Sequence, residues 1–288
     1  MKYLLKKILF LLIIPLTTFA QTSTSICISG DCENGSGKFK TSSEDFYEGQ
    51  FKNGEFNGIG KMKFVNGDVF EGDWRKGMAV NGTYIFANGD KYVGGCEKLL
   101  FSGKGVMLYK NKDIYEGNFV GGKANGHGTL IKTIGLKYTG NFTNNQYDGR
   151  GILTFANGNV YEGDFVNSLR KGKCIYRFKS GSVYDGDYYN DDFNGKGTYT
   201  FPDGSIYTGT WLNGKRSGKG VYKYKNGARY EGDFKNDLRD GQGKMWYETG
   251  NIYEGAWAAG KCNGQGKQTL KNGTVNQGTF RDNVFVGN

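Results

Sequence analysis

Along this chain one alternation of apolar and polar positions keeps returning: aromatic, polar, glycine, polar, aromatic. It stands at Tyr47-Gly49-Phe51, Phe70-Gly72-Trp74, Tyr115-Gly117-Phe119, Tyr138-Gly140-Phe142, Tyr161-Gly163-Phe165, Tyr184-Gly186-Tyr188, Tyr207-Gly209-Trp211, Tyr230-Gly232-Phe234 and Tyr253-Gly255-Trp257. Tyr92-Gly94-Cys96 is a variant copy, and a degraded eleventh follows at Asn276-Gly278-Phe280. The leading positions lie 23 residues apart, with one step of 22. Self-similarity at such a period marks a repeat architecture. A Gly-x-Gly pair follows each leading aromatic, as at Gly58/Gly60, Gly103/Gly105, Gly126/Gly128, Gly149/Gly151, Gly195/Gly197, Gly218/Gly220, Gly241/Gly243 and Gly264/Gly266.

Both runs have period two, which predicts strands and not helices. In the first run Tyr161, Gly163 and Phe165 face one way and Glu162 and Asp164 the other. In the second, Gly195, Gly197, Tyr199 and Phe201 oppose Lys196, Thr198 and Thr200. Each unit therefore reads as a hairpin with an aromatic and glycine face and a charged face. A glycine beside each ring gives it bare backbone to lie on. The Asn-Gly and Asp-Gly pairs at 66–67, 88–89, 157–158, 203–204, 226–227 and 272–273 are turn signals between units. For Phe155 and Tyr161 to share a face, that loop must hold three residues or carry a bulge.

The joined pattern, Tyr161-Glu162-Gly163-Asp164-Phe165 with Gly195-Lys196-Gly197-Thr198-Tyr199-Thr200-Phe201-Pro202-Asp203-Gly204, resembles the MORN (membrane occupation and recognition nexus) repeat. The resemblance spans residues 34–288 in ten to eleven units. It implies an all-β chain, an elongated single twisted antiparallel sheet of tandem hairpins. Its core would be Tyr47, Trp74, Tyr115, Tyr138, Tyr161, Tyr184, Tyr207, Trp211, Tyr230, Tyr253 and Trp257. Local departures are a residue missing between Trp74 and Gly82, Cys174 for a glycine, Lys112 for a turn glycine and Lys132 for an aromatic.

Residues 1–20 read as a signal peptide: Lys2, Lys6 and Lys7, an apolar run from Ile8 to Leu16, then Thr18-Phe19-Ala20 as a cleavage site. The run is too short to span a bilayer. Cleavage after Ala20 would export the chain to the periplasm or the exterior and lower its formal charge from +10 to +7. Residues 21–33 then form an N-terminal segment in which Cys27 and Cys32 are the natural disulfide pair of an exported protein. Cys96 and Cys174 fall at inward positions. Cys262 is expected in a hairpin loop as the most reactive thiol.

Nothing in the sequence breaks the repeat as a catalytic site would. His127, the only histidine, occupies a position filled elsewhere by Lys104, Arg150, Lys173, Lys196 and Lys219. One histidine and scattered cysteines complete no zinc site, so neither metal nor other cofactor is expected. The acids at 48, 71, 116, 162, 185, 231 and 254 are explained by periodicity, and no nucleotide-binding loop is present. The basic ladder Lys104, Arg150, Lys173, Lys196 and Lys219 could face a ligand, but cross-strand pairing with the acidic ladder is the simpler expectation.

MORN-repeat proteins bind phospholipids, tether membranes, dimerise or accompany catalytic domains. The resemblance therefore implies a non-enzymatic interaction or scaffolding protein of the cell envelope or exterior, with a protein partner. Membrane lipid or glycan, met by rows of exposed rings and lysines, is the alternative; nucleic acid is not expected for an exported chain. The chain stops where a hairpin partner for strand 276–280 should begin, so self-association through this C-terminal edge is a further expectation.

Overall fold

The computed structural model describes residues 24–287, so the expected signal segment lies outside the described residues. Among the described residues there are 24 strands, numbered β1 to β24 in chain order, and no helix. The chain forms two compact units, the first ending at Asp148 and the second beginning at Gly149. In the first, β1 (Ile26–Gly30) to β11 (Lys137–Thr143) pair antiparallel, each with the next. In the second, β12 (Gln146–Thr154), most of which lies past the boundary, to β24 (Val284–Gly287) do the same. The all-β antiparallel sheet of tandem hairpins that the repeat predicts is the fold observed.

Two kinds of turn alternate, and each follows from its residues. Between units, Phe64 N–H donates to Asp68 O and Gly67 N–H to Phe64 O, leaving a three-residue loop with Gly67 at φ 89°. That is the loop length the shared ring face demands. Within a unit, Lys52 pairs with Glu55 across Asn53-Gly54, both at positive φ, the two-residue turn that matches strand twist. Lys112 stands at φ 68° where other copies place glycine.

Most hairpins carry a bulge at the first glycine of Gly-x-Gly. Between β3 (Phe46–Lys52) and β4 (Glu55–Lys63) the register moves from Gly49↔Gly60 to Phe51↔Phe56, a slip of two residues, with Gly58 at φ 87°. Between β5 (Val69–Arg75) and β6 (Met78–Ile85) it moves from Asp73↔Asn81 to Trp74↔Ala79, a slip of one. The residue missing before Gly82 is thus taken out of the bulge, and every strand beyond keeps its facing.

All eleven expected core rings are buried, and the leading tyrosines are at most 2% exposed. These tyrosines lie flat over glycine backbone. A Cβ on Gly186 or Gly197 would meet Tyr184 ring or hydroxyl atoms at 2.5–2.6 Å. The Tyr184 hydroxyl donates to Asp187 O at 2.7 Å, and its ring stacks on Phe193 at 3.7 Å. At Cys262, where the stacking position is small, the hydroxyl of Tyr247 from the preceding turn lies 3.7 Å from the sulfur. Elsewhere an arginine fills the position, as Arg216 does over Tyr207 and Tyr222, held by Asp237.

Side chains also staple repeat to repeat along the loop margin. Asp45, Asp68, Asp90 and Asp113 accept from the backbone N–H of Val65, Ala87, Lys110 and Thr133 in the next loop.

Two expectations fail. Asn276 to Phe280 does not lack its partner: β23 (Val275–Arg281) pairs with β24, because Asp282 and Asn283 adopt positive φ and turn the tail back. Self-association through an unpaired β23 therefore loses its basis. Cys262 is not in a loop; it lies in β22 (Lys261–Thr269), opposite Trp257 and 3% exposed. Burial pushes its thiol above the ordinary range, away from the thiolate form that reactivity needs.

Candidate binding trough on the polar face

Glycine backbones align across the second unit. Gly186↔Gly197↔Gly209↔Gly220↔Gly232↔Gly243↔Gly255 form one row, each directly opposite the next. On the far side lie the tyrosine rings. On the polar side this row is the floor of a trough of about 1020 Å³, walled by the residues before and after each glycine. The walls stand two residues apart along each strand, about 7 Å.

One wall carries Lys173, Lys196, Lys219 and Gln242, each following the bulged glycine of its repeat, with Asp187, Thr210 and Asp233 standing directly opposite the three lysines along the same wall. The other carries Asp185, Thr208, Glu231 and Glu254, with Thr198, Val221 and Lys244 between them. Lys173, Lys196 and Lys219 of the expected basic ladder are therefore brought together. Lys104 belongs to the first unit, and Arg150 sits on β12 opposite Asp164. Neither lines the trough.

The ladder is not paired with the acidic ladder. Lys173 meets Asp187 at 2.6 Å and Lys219 meets Asp233 at 2.8 Å. The leading acids find other lysines, at Lys38–Glu48, Lys61–Glu71 and Lys244–Glu254. The reason is register. In an antiparallel pair the residue directly opposite is the near neighbour, and Lys173 stands opposite Asp187 while Lys244 stands opposite Glu254.

Asp187 also accepts the Lys196 backbone N–H at 2.9 Å, closing the bulge. The hydrogen bond from Lys173 holds the Asp187 carboxyl below the ordinary carboxylate range. At Asp233 burial acts upward, but the Lys219 and Gln242 donors outweigh it and hold the carboxyl low. Lys196 instead donates to Thr210 Oγ1 at 2.7 Å, and Thr198 and Thr208 share a hydroxyl bond at 3.1 Å. Lys196 and Asp185 make no ion pair among the described residues.

At the N-terminal margin Cys27 and Cys32 are joined by a disulfide, while Cys96, Cys174 and Cys262 are free and buried. Burial pushes the Cys96 thiol up to about 11 and Cys174 up to about 12. No group of three or more metal-ligating side chains occurs among the described residues, and they contain no helix long and apolar enough to cross a membrane, a statement that does not bear on strands.

Hairpins repeated in register, nearly all closed by the same two-residue bulge, define a tandem-repeat β protein. The chain belongs to the MORN-repeat family, whose model matches residues 47–69, 70–91, 115–137, 138–160, 161–183, 184–206, 207–229, 230–252 and 253–275. The copy led by Tyr92 falls between matches; Cys96 and Lys112 are its departures.

Similar solved structures include the TCP10 domain of Danio rerio CPAP in complex with a peptide of Danio rerio STIL. It is 14% identical with a TM-score of 0.38, covering 90% of this chain and 100% of that one. The SAS-4 (dCPAP) TCP domain in complex with a proline-rich motif of Ana2 of Drosophila melanogaster is 20% identical, TM-score 0.34, covering 62% and 85%. A virginiamycin B lyase from Staphylococcus aureus is 10% identical, TM-score 0.15, covering 89% and 88%. Likenesses this distant carry no inference about function. No curated protein matches the chain.

Proposed function

We propose that the chain is a non-enzymatic interaction scaffold of the cell envelope or exterior that holds a segment of a protein partner in the trough of its second unit. The observation that carries this reading is the trough itself, with exposed lysines on one wall, two of them paired with Asp187 and Asp233, facing exposed acids and hydroxyls on the other through four repeats. Backbone amides and carbonyls of a polypeptide need both kinds of group. Export is supported by the signal pattern of residues 1–20 and by the Cys27–Cys32 disulfide, which suits an oxidising compartment.

A glycan or lipid surface met by rows of exposed rings has less support, because the repeat rings are buried. The exposed aromatics among the described residues are Phe46, Tyr189 and Phe285, in separate repeats. The test is a photo-crosslinking residue at Thr208, with a control at Lys225 on an exposed turn, in native envelope extract. The reading expects one protease-sensitive adduct at Thr208 only, identifiable by mass and reproduced with the purified partner. Equal labelling at both sites, or adducts only to protease-resistant lipid or glycan, would contradict it.

A further inference from the structure

We propose that the segment held in this trough is a polyproline II helix whose sequence repeats every three residues. This deepens the proposed function and rests on it. The floor is strand backbone already hydrogen-bonded on both sides within the sheet. A ligand therefore gains nothing by adding a strand there, and must bond to the walls. Walls about 7 Å apart exclude an α-helix about 10–12 Å across. One extended chain fits.

Period then selects the conformation. Equivalent wall residues, such as Lys196 and Lys219, recur every two strands, about 9.6 Å. Three residues of polyproline II advance about 9.3 Å. Two residues of a β-strand advance about 6.7 Å, so an extended β-chain would drift out of step within one repeat. A polyproline II chain instead returns the same residue to each successive donor and acceptor.

Polyproline II makes no internal hydrogen bonds and leaves its backbone groups free. Lys196, and Lys219 beside its partner Asp233, are placed to donate to its carbonyls, and Asp185, and Glu231 beside its partner Arg229, to accept its amides. Since the position after the leading aromatic offers one acid or hydroxyl per repeat, one residue in three is matched to it through an N–H. The other two can be proline, which enters already ordered and loses little entropy on binding.

The regular lysine row is a property of this unit. At the equivalent position the first unit has Ile59, Asn81, Lys104 and His127, and after its leading aromatics Glu48, Glu71, Val93 and Glu116. A donor row facing an acceptor row does not form there.

The experiment measures anisotropy of a labelled peptide of four Pro-Pro-Gln triplets against the full chain. It is compared with an isomer of the same composition in irregular order. The proposal expects the triplet peptide to bind about tenfold more tightly, the worth of one or two hydrogen bonds to charged groups. Thr198→Trp with Thr208→Trp, which fills the trough, removes binding. Lys196→Ala with Lys219→Ala, both exposed side chains, weakens it with the fold intact by circular dichroism. Lys225→Trp leaves it unchanged.

Equal binding of the two isomers, abolished by the filled trough, would overturn the three-residue period and leave the protein-binding reading standing. Failure of both peptides to bind, with a linear oligosaccharide bound in their place and lost from the filled trough, would overturn both. Triplet binding that survives the filled trough would overturn the assigned site.

Discussion

Gly197→Ala tests the packing most sharply, because it adds one methyl group to a surface residue of the trough floor and damages the opposite face. The added Cβ would lie 2.5 Å from Tyr184 Cε2, 2.5 Å from its hydroxyl and 2.6 Å from Cζ. Tyr184 cannot yield by a rotamer change. It is 0% exposed, stacked on Phe193, edge-on to Trp211 and tied to Asp187 O. Either the strands spread, an overpacking cost of about 1–3 kcal/mol, or the ring leaves its place, costing about 3–5 kcal/mol as a large aromatic deletion does.

Gly204→Ala is the control. Its Cβ meets nothing within 4 Å, but φ is 89°. Alanine there costs about 1–2 kcal/mol for the left-handed conformation alone. Denaturant melts give the totals, and amide exchange resolves the location, since repeats interact mainly with their neighbours. Gly197→Ala should be the more destabilising, with lost protection centred on β15 (Val183–Tyr189) to β17 (Ile206–Leu212). If the two variants melt alike, the ring-over-glycine account is wrong.

Further expectations follow from the same packing. Asp68→Ala should cost about 1–3 kcal/mol, because it orphans the Tyr84 hydroxyl and the Ala87 N–H; Glu162→Ala, which loses a surface pair with Arg177, should change the melt little. Burial pushes the Tyr47, Tyr115, Tyr207 and Tyr253 hydroxyls up to about 12, above an ordinary value of about 10. A raised folded pKa gives stability that is complete below the unfolded value and lost as pH rises through the folded one. Phenolate absorbance should therefore lag behind free tyrosine between about pH 10 and 12 and then rise together with unfolding; an ordinary titration of these tyrosines in folded protein would refute the burial. Alkylation of the native chain should spare Cys96, Cys174 and Cys262, and rapid labelling of Cys262 at neutral pH would contradict its placement in β22.

Much of this was legible in residue spacing. Tyr-x-Gly-x-Phe against Gly-x-Gly specifies both the buried face and the ring's bed. Shared parity of Phe155 and Tyr161 specifies the three-residue loop that Gly158 N–H closes onto Phe155 O. What spacing could not supply was register through the bulge. Lys173 faces Asp187, not the leading acids, because pairing runs through Cys174↔Gly186, and no single strand's alternation reveals which residue stands opposite. The strand placement of Cys262 was missed for a related reason: the within-unit turn is only two residues, Ala259-Gly260, so the strand starts earlier than a longer loop would allow.

The trough was half legible. Its lysine row appears as a period of 23, but its opposing wall mixes Asp185, Thr208, Glu231 and Glu254 and reads as an ordinary solvated face until the sheet sets the two rows facing. A sequence signal was there in retrospect: the residue after the bulged glycine is Lys, Lys, Lys, Gln from 173 to 242, whereas the equivalent position before residue 148 holds Ile59, Asn81, Lys104 and His127.

The most direct test of the account is a crystal structure of the chain with its bound partner segment. It should show a single polypeptide crossing the strands over the row from Gly186 to Gly255, with Lys196 and Lys219 on one side and Asp185 and Glu231 on the other. A partner seated on the aromatic face, or added as a strand to a sheet edge, would contradict the claim that this trough is the binding surface.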